Sequence, residues 1–484
     1  MSNLSNTKKP SLSLAIATLL AVVVLMTVGM IIFKASLQIM LFLSWVIVIP
    51  VGLALGHSLN DIENAAYEMM KKIIQPSTII LAVGAMIGVW IMAGTVPTLI
   101  YLGLSIISPQ FFLLTALLFC SIISLFTGTS WGTMGTAGVA MMGIGAGLGV
   151  PPGMTAGAVI CGAYFGDKMS PISDSTNLAP ALSGGKVMNH IKHMLWTTIP
   201  SYIITALIFT VLGFTNGTIQ ADTSTITMIS NGLSANYKIG FIPLIPALLV
   251  FYMLFTNKPP VSALLVGAIA AVALAVVYQG HTIQATLACL YSGNDPKTGV
   301  VFIDSLLKRG GVTSMYGIVG LFFFALGLGG ILNHIGVLET ILGSFAHKIT
   351  SVPKLVVATM AVSYLSNMVG ATISFAAVMT GTLMQPMFRK MRLRPENLSR
   401  IIEDCGTLGG PIIPWNTGAV YAAGVLGLSP SLFIPFCFLC FINPIISLIY
   451  GLTGFSITKL DKDEVYGETN EYKFNPFIKN KQDI

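Results

Sequence analysis

The sequence predicts an all-α polytopic membrane protein built from two inverted-topology repeats, with about ten spans, two re-entrant hairpins and two broken helices. Three observations carry this. Hydrophobic residues make up 54% of the 484-residue chain and charged residues only 9%, against about 25% charged in soluble domains. Apolar windows long enough to cross a hydrocarbon core of about 30 Å recur along the chain. Shifting the chain by 243 positions also superimposes its interruptions: Thr129 falls on Thr372, Pro152 on Pro395, Gly166 on Gly409 and Pro171 on Pro414.

The elements follow in order. Residues 1–11 read as a cytoplasmic N-terminus and residues 12–214 as the first repeat. Leu12–Phe33 follows Lys8 and Lys9, but it exceeds a signal-peptide core of about 7–15 residues and is read as a retained span. Leu37–Leu55 is the second span, and the amphipathic segment Asn60–Lys72 reads as a helix on the cytoplasmic surface. Ser77–Ile107 reads as one long third span, Phe111–Ile144 as a hairpin dipping from outside, and the stretch around Pro171 as a broken span before the last span. Residues 215–238 form a polar linker. The second repeat, residues 239–456, has the same plan, with a long third span at Ser314–Lys348, a hairpin at Val352–Phe388 dipping from inside and a break at Pro414–Gly418. Residues 457–484 read as a polar cytoplasmic tail, mobile from Lys459 onward.

Charge sets the relative orientation. The first-half loops Ser108–Gln110 and Gly145–Gly153 are uncharged, whereas their second-half counterparts carry His347, Lys348 and Lys354, then Arg389, Lys390, Arg392 and Arg394. Gly184–His193 carries Lys186 and Lys192, and its counterpart Gly427–Ile434 carries no charge. Positive loops stay cytoplasmic, so the halves sit upside down relative to each other, as in secondary transporters. Lys308 and Arg309 fall on the outer side, against the rule. The net charge of +7 therefore reports membrane sidedness rather than nucleic acid as a partner.

Residues 73–166 contain no Asp, Glu, Lys, Arg or His, and then Asp167-Lys168-Met-Ser-Pro171-Ile-Ser173-Asp174-Ser175-Thr176-Asn177 appears. Each ionisable group there costs about 2.5–3.5 kcal/mol on insertion scales, a cost met where it lines a cavity and meets an ion, a proton or a partner. Four Gly-plus-hydroxyl clusters have the composition to replace a small cation's water shell: Gly128, Thr129 and Ser130; Ser366, Asn367 and Thr372; Ser173, Ser175, Thr176 and Asn177; Asn416 and Thr417. Unwound helix adds backbone carbonyls there. The alternative role for such residues is close helix packing.

Among the carboxylates, Asp174 inside the hydroxyl-rich break is the first expectation for ion and proton coupling. Asp404 is a second, helix-buried proton site. Asp167 is a third, with an ion pair to Lys168 as its alternative. Glu403 is expected to bridge to Arg400. His190 and His193 are expected in a basic loop facing lipid headgroups, and His334 stands out in the third span of the second half.

Three other motifs carry no such chemistry. Gly128-x-Ser130-x-Gly132 has no strand-to-helix context for a hydrolase elbow. The alternating glycines Gly143–Gly149 have no βαβ context for a dinucleotide. Cys437-x-x-Cys440 lacks the second pair a metal site needs.

The runs Thr127-Gly-Thr-Ser-Trp-Gly-Thr, Gly162-Ala-Tyr-Phe-Gly-Asp-Lys-Met-Ser-Pro-Ile-Ser-Asp-Ser-Thr-Asn, Glu403-Asp-Cys-Gly-Thr and Pro411-Ile-Ile-Pro-Trp-Asn-Thr resemble those of the NhaC sodium/proton antiporters, over nearly the whole chain. The resemblance implies a scaffold with a mobile transport domain in the bacterial cytoplasmic (inner) membrane. It implies sodium ion and proton as substrates and no cofactor; a homodimer is left open. Related divalent-anion symporters carry Ser-Asn-Thr at their hairpin tips. Here the first tip has Thr129-Ser130-Trp131 and the second Ser366-Asn367-Met368, which points to one sodium site leaning on Asp174 rather than a symmetric pair. Relatives that resemble malate/lactate exchangers keep a small carboxylate open as a further substrate.

Overall fold

The computed structural model describes residues 8–216, 223–256, 258–346, 349–461 and 464–466. His347 and Lys348, residues 217–222 of the linker and the tail beyond residue 466 lie outside the described residues. Regular structure in the described residues is helical, apart from one isolated antiparallel bridge between Leu393 and Lys459.

The chain begins with α1 (Leu12–Ile31), α2 (Leu37–Ala54) and α3 (Leu59–Met70). Helix α3 starts at a reciprocal capping box of Ser58 and Asp61, which satisfies two free backbone donors at once. Next come α4 (Ile74–Met92) and α5 (Thr95–Ile106), then α6 (Phe112–Thr127), α7 (Ser130–Thr133) and α8 (Val139–Gly147), the last two joined by a π-turn at Met134–Gly138. Helices α9 (Pro152–Met169), α10 (Asp174–Ser183) and α11 (Val187–Asn216) complete the first half.

A helix within the expected linker, α12 (Thr223–Asn236), leads to α13 (Ile245–Phe255), α14 (Pro260–Val277), α15 (Ile283–Ser292) and α16 (Val301–Leu307). Then follow α17 (Tyr316–His334), α18 (Val337–Ala346), α19 (Val352–Gly370) and α20 (Ile373–Lys390). Helix α21 (Pro395–Ile401) runs into a π-turn at Ile402–Thr407, and α22 (Thr417–Leu426), α23 (Pro430–Phe433) and α24 (Phe438–Thr453) end the fold.

Seven helices among the described residues are long and apolar enough to cross a membrane, or nine spans if each bent pair counts as one. The shortfall from ten comes from short elements: Ile242–Phe255 and Phe438–Thr453 pass on composition but not on length. Outward-facing apolar side chains such as Leu20, Val24, Leu207 and Ile269 are more than half exposed. A soluble surface rarely offers so much contiguous apolar area, and a bilayer solvates it.

Three expectations about elements need correction. Each long third span is two helices, not one: Gly94 at φ 78° separates α4 from α5, and Gly336 at φ 75° separates α17 from α18. The left-handed backbone there ends one helix and re-aims the next, while the apolar run continues across it. The amphipathic α3 seats its stripe of Ile62, Ala66 and Met69 on protein, against α17. The start of the tail is docked: Leu460 N–H donates to Arg392 O at 2.8 Å, Arg394 pairs with Glu464 at 2.8 Å and Tyr466 Oη donates to Ser183 O.

Packing divides the helices into two sets. Helices α1–α4 and α13–α18 pack mainly on one another, as do α6–α11 and α19–α24. Within the second set α6 lies along α9, and Gly162 and Gly166 bring the two backbones into contact. The breaks described next lie in this second set.

Candidate functional site

Helix α6 ends at Gly128, which turns the chain at φ 64°, and Thr129 caps α7 by accepting the Gly132 N–H at 3.2 Å. This tip abuts the break after α9: a Cβ on Gly128 would lie 3.1 Å from the Ile172 carbonyl carbon and the Ser173 nitrogen. Asp167 joins the two. Its Oδ2 accepts the Ser130 N–H at 3.0 Å and the Ser130 hydroxyl at 2.6 Å, and its Oδ1 accepts the Ser173 hydroxyl at 2.5 Å. Ser175 Oγ lies 3.2 Å from Ser173 Oγ.

Thr176 and Asn177 close the break locally. Thr176 donates to the carbonyls of Asp167 and Lys168, and Asn177 to those of Pro171 and Ser173. Asp174, the first residue of α10, is exposed. The sequence placed it inside a hydroxyl shell; the structure gives that shell to Asp167.

The second tip repeats the backbone with other chemistry. Helix α19 turns at Ala371, φ 51°, and Thr372 caps α20 by accepting the Phe375 N–H at 3.1 Å. Asn416 caps α22 and donates to Asn367 Oδ1 at 3.0 Å, while Asn367 donates to Gly406 O at 2.8 Å. The Thr417 N–H donates to Ala371 O at 2.8 Å, and Trp415 Nε1 donates to Met368 O at 2.8 Å. Ser366 Oγ is buried without a hydrogen-bond partner. The two assemblies meet where Trp131 stacks on Tyr421 at 4.3 Å and the Tyr421 hydroxyl donates to Trp131 O at 2.7 Å.

One ion pair ties the halves together. Lys168 Nζ meets Asp404 Oδ1, both fully buried. The same oxygen accepts from Thr197 at 3.2 Å and Asn443 at 2.6 Å, and Arg400 Nε lies 3.9 Å from Asp404 Oδ2. Lys168 therefore pairs with Asp404 across 236 positions, not with its neighbour Asp167. The i,i+4 spacing likewise aligns Arg400 with Asp404 rather than with Glu403. Glu403 is fully buried, and among the described residues neither of its oxygens makes a hydrogen bond of normal geometry, Thr407 and Ser175 being the hydroxyls nearest to it. The sequence named Glu403 as a partner for Arg400; in the structure Arg400 lies beside Asp404 instead.

The histidine expectations are also corrected. Helix α11 begins at Val187, so His190 and His193 are carried into the core and are fully buried. His193 Nε2 lies 3.0 Å from Ser456 O. His334 is exposed at the end of α17, its ring 4.7 Å from that of His57.

The donor set suits a small hard cation: a carboxylate and several hydroxyls, with no thiol or imidazole among the hydrogen-bond partners of Asp167 in the described residues. A polytopic bundle whose helix-hairpin tips close on interrupted helices is the architecture of a membrane transporter, not an enzyme. Residues 162–455 match the model of the Na+/H+ antiporter family. The chain belongs to that family.

The chain is 42% identical to the malate-2H+/Na+-lactate antiporter of Bacillus subtilis over 86% of its own length and 89% of the relative's. It is 37% identical to the Na+/H+ antiporter NhaC of Alkalihalophilus pseudofirmus, over 93% and 98%. It is 30% identical to the arginine/ornithine antiporter ArcD of Halobacterium salinarum, over 94% and 95%.

Proposed function

We propose that the chain exchanges sodium ions for protons across the bacterial cytoplasmic membrane by alternating access, with Asp167 as the coupling carboxylate. The observation that carries this is the Asp167 cage: one carboxylate bridging a hairpin tip and a helix break through Ser130 and Ser173. Sodium exchanges water for that carboxylate, the hydroxyls of Thr129, Ser130, Ser173 and Ser175, and nearby backbone carbonyls. A proton on Asp167 removes the charge that holds the ion. Competition of ion and proton for one carboxylate couples their movements in opposite directions.

Asp174, exposed beside the cage, is the first contact for an arriving cation. Asp404 stays paired with Lys168 and keeps the buried charge balanced. The inverted repeat is supported by matched backbone devices. Gly128 and Ala371 turn the tips, Ser173 and Asn416 stand at the N-cap positions of the inner helices, and Gly184 and Gly427 end them at φ 80° and 72°.

The test is reconstitution in liposomes containing a pH-sensitive dye, followed by an imposed sodium gradient without any organic acid. Sodium-driven proton movement is expected, and strict dependence on added malate or lactate overturns this reading.

A second reading is sodium- and proton-coupled exchange of small carboxylates. It is favoured by the name of the Bacillus subtilis relative, a malate/lactate antiporter at 42% identity.

A further inference from the structure

Lys308 and Arg309 were the two cations that the sidedness of the loops left without a role. They lie between α16 and a 3-10 turn at Val312–Met315, on a loop pinned to its neighbours. The Gly311 N–H donates to Gly84 O at 2.7 Å, and Arg309 O accepts the Asn294 N–H at 3.0 Å. Lys308 is engaged by Asp295 at 2.8 Å, a contact that holds the Asp295 carboxyl below its usual range. Arg309, half-buried, has no acidic partner and no side-chain hydrogen bond among the described residues. Its guanidinium lies at the end of α22, where a Cβ on Gly427 would sit 3.7 Å from Nη1.

Arg309 also lines a cavity of about 600 Å³, within the usual size of small-molecule sites, together with Lys308, Gln38, Ser314, Gly424 and Pro414; Lys308 is already held by Asp295. The cavity runs the length of α22, from Gly427 at one end to Pro414 in the second break at the other. At 1.5 Å per residue that is about 15 Å. A guanidinium at such a mouth repels sodium and attracts anions, so a path for cations alone gains nothing from it. Its planar fork matches a carboxylate through two parallel hydrogen bonds.

We propose that Arg309 is the recognition point for a small organic carboxylate entering this cavity toward the second break. The proposal rests on the second reading above, carboxylate exchange. The competing role is simple neutralisation of the carbonyl end of α22, which a lysine would also perform.

The experiment uses the full chain in detergent and in liposomes. Binding is read as the shift in thermal unfolding midpoint with sodium malate or sodium lactate against sodium chloride at equal ionic strength. Transport is read with radiolabelled carboxylate. Arg309→Gln is expected to weaken carboxylate binding at least tenfold with its unliganded midpoint unchanged. Arg309→Lys should recover less than half of that loss, and the control Lys297→Gln, an exposed lysine outside the cavity lining, should leave carboxylate binding unchanged. Unchanged malate and lactate affinity in Arg309→Gln overturns the proposal while leaving carboxylate exchange standing. Full recovery by lysine overturns it in favour of helix-end neutralisation. Wild-type protein that binds carboxylate through Arg309 but moves none keeps the site and removes the transport reading; no binding to wild type removes both.

Discussion

The two tip-and-break assemblies share a backbone and differ in what fastens them. At the first, a carboxylate takes three hydrogen bonds from Ser130 and Ser173. At the second, Asn367 and Asn416 form an amide-to-amide link that reaches Gly406 O. An amide pair keeps one charge at every pH, whereas a carboxylate fastening changes with a proton or an ion. The comparison teaches that equivalent backbone geometry can carry different chemistry: a protonatable carboxylate fastens the first assembly and a neutral amide pair the second.

Substitutions at four places would break or sharpen that contrast. The largest effect is expected where the assemblies are tied. Lys168→Met leaves Asp404 buried without its lysine and should cost about 3–5 kcal/mol, read from chemical or thermal unfolding. If Lys168→Met with Asp404→Leu recovers most of that loss, the cost was the unpaired charge; failure to recover assigns it to the Thr197, Asn443 and Arg400 contacts that Asp404 also holds.

Asp167→Asn should come next. Losing the carboxylate charge costs about 2–3 kcal/mol, roughly a thirty- to 150-fold loss of sodium affinity, measured by sodium-dependent proton movement. Near-normal affinity would transfer the coupling role to another carboxylate, with Asp174 the first to test.

Asn416→Ala should lower stability by about 1–2 kcal/mol through the lost amide bonds. Its effect on sodium affinity should stay below that of Asp167→Asn; an equal loss would erase the distinction between the fastenings.

The smallest effect is expected at Ala371. Ala371→Gly relieves a left-handed residue worth about 1 kcal/mol and should leave exchange intact. Gly128→Ala adds that strain and a 3.1 Å contact with the break, and should impair exchange. Equal tolerance at both positions would mean that the tips do not seat tightly on the breaks.

Much of this architecture was legible in the chain. The apolar windows and the polar interruptions around Gly128, Pro171 and Pro414 follow from local chemistry that neighbouring residues dictate. Gly94 and Gly336 were missed because one glycine in an apolar run is a weak signal, although each ends a helix by its positive φ. His190 and His193 were misjudged because two lysines nearby suggested a loop, while α11 starts early and is covered by α21 and the segment near Ser456.

By itself the sequence determined that the protein is a polytopic helical bundle whose polar residues gather at two interruptions. Hydrophobic length and turn chemistry are local properties, carried by residues a few positions apart. Only the tertiary structure decided the partners of the charges. Lys168 chose Asp404 over its neighbour, Asp167 received the hydroxyls expected around Asp174, Arg400 aligned with Asp404 rather than Glu403, and Arg309 came to line a cavity. Buried charge is settled by which groups meet across the fold, because desolvation in the interior makes each contact decisive. No spacing along the chain specifies those meetings.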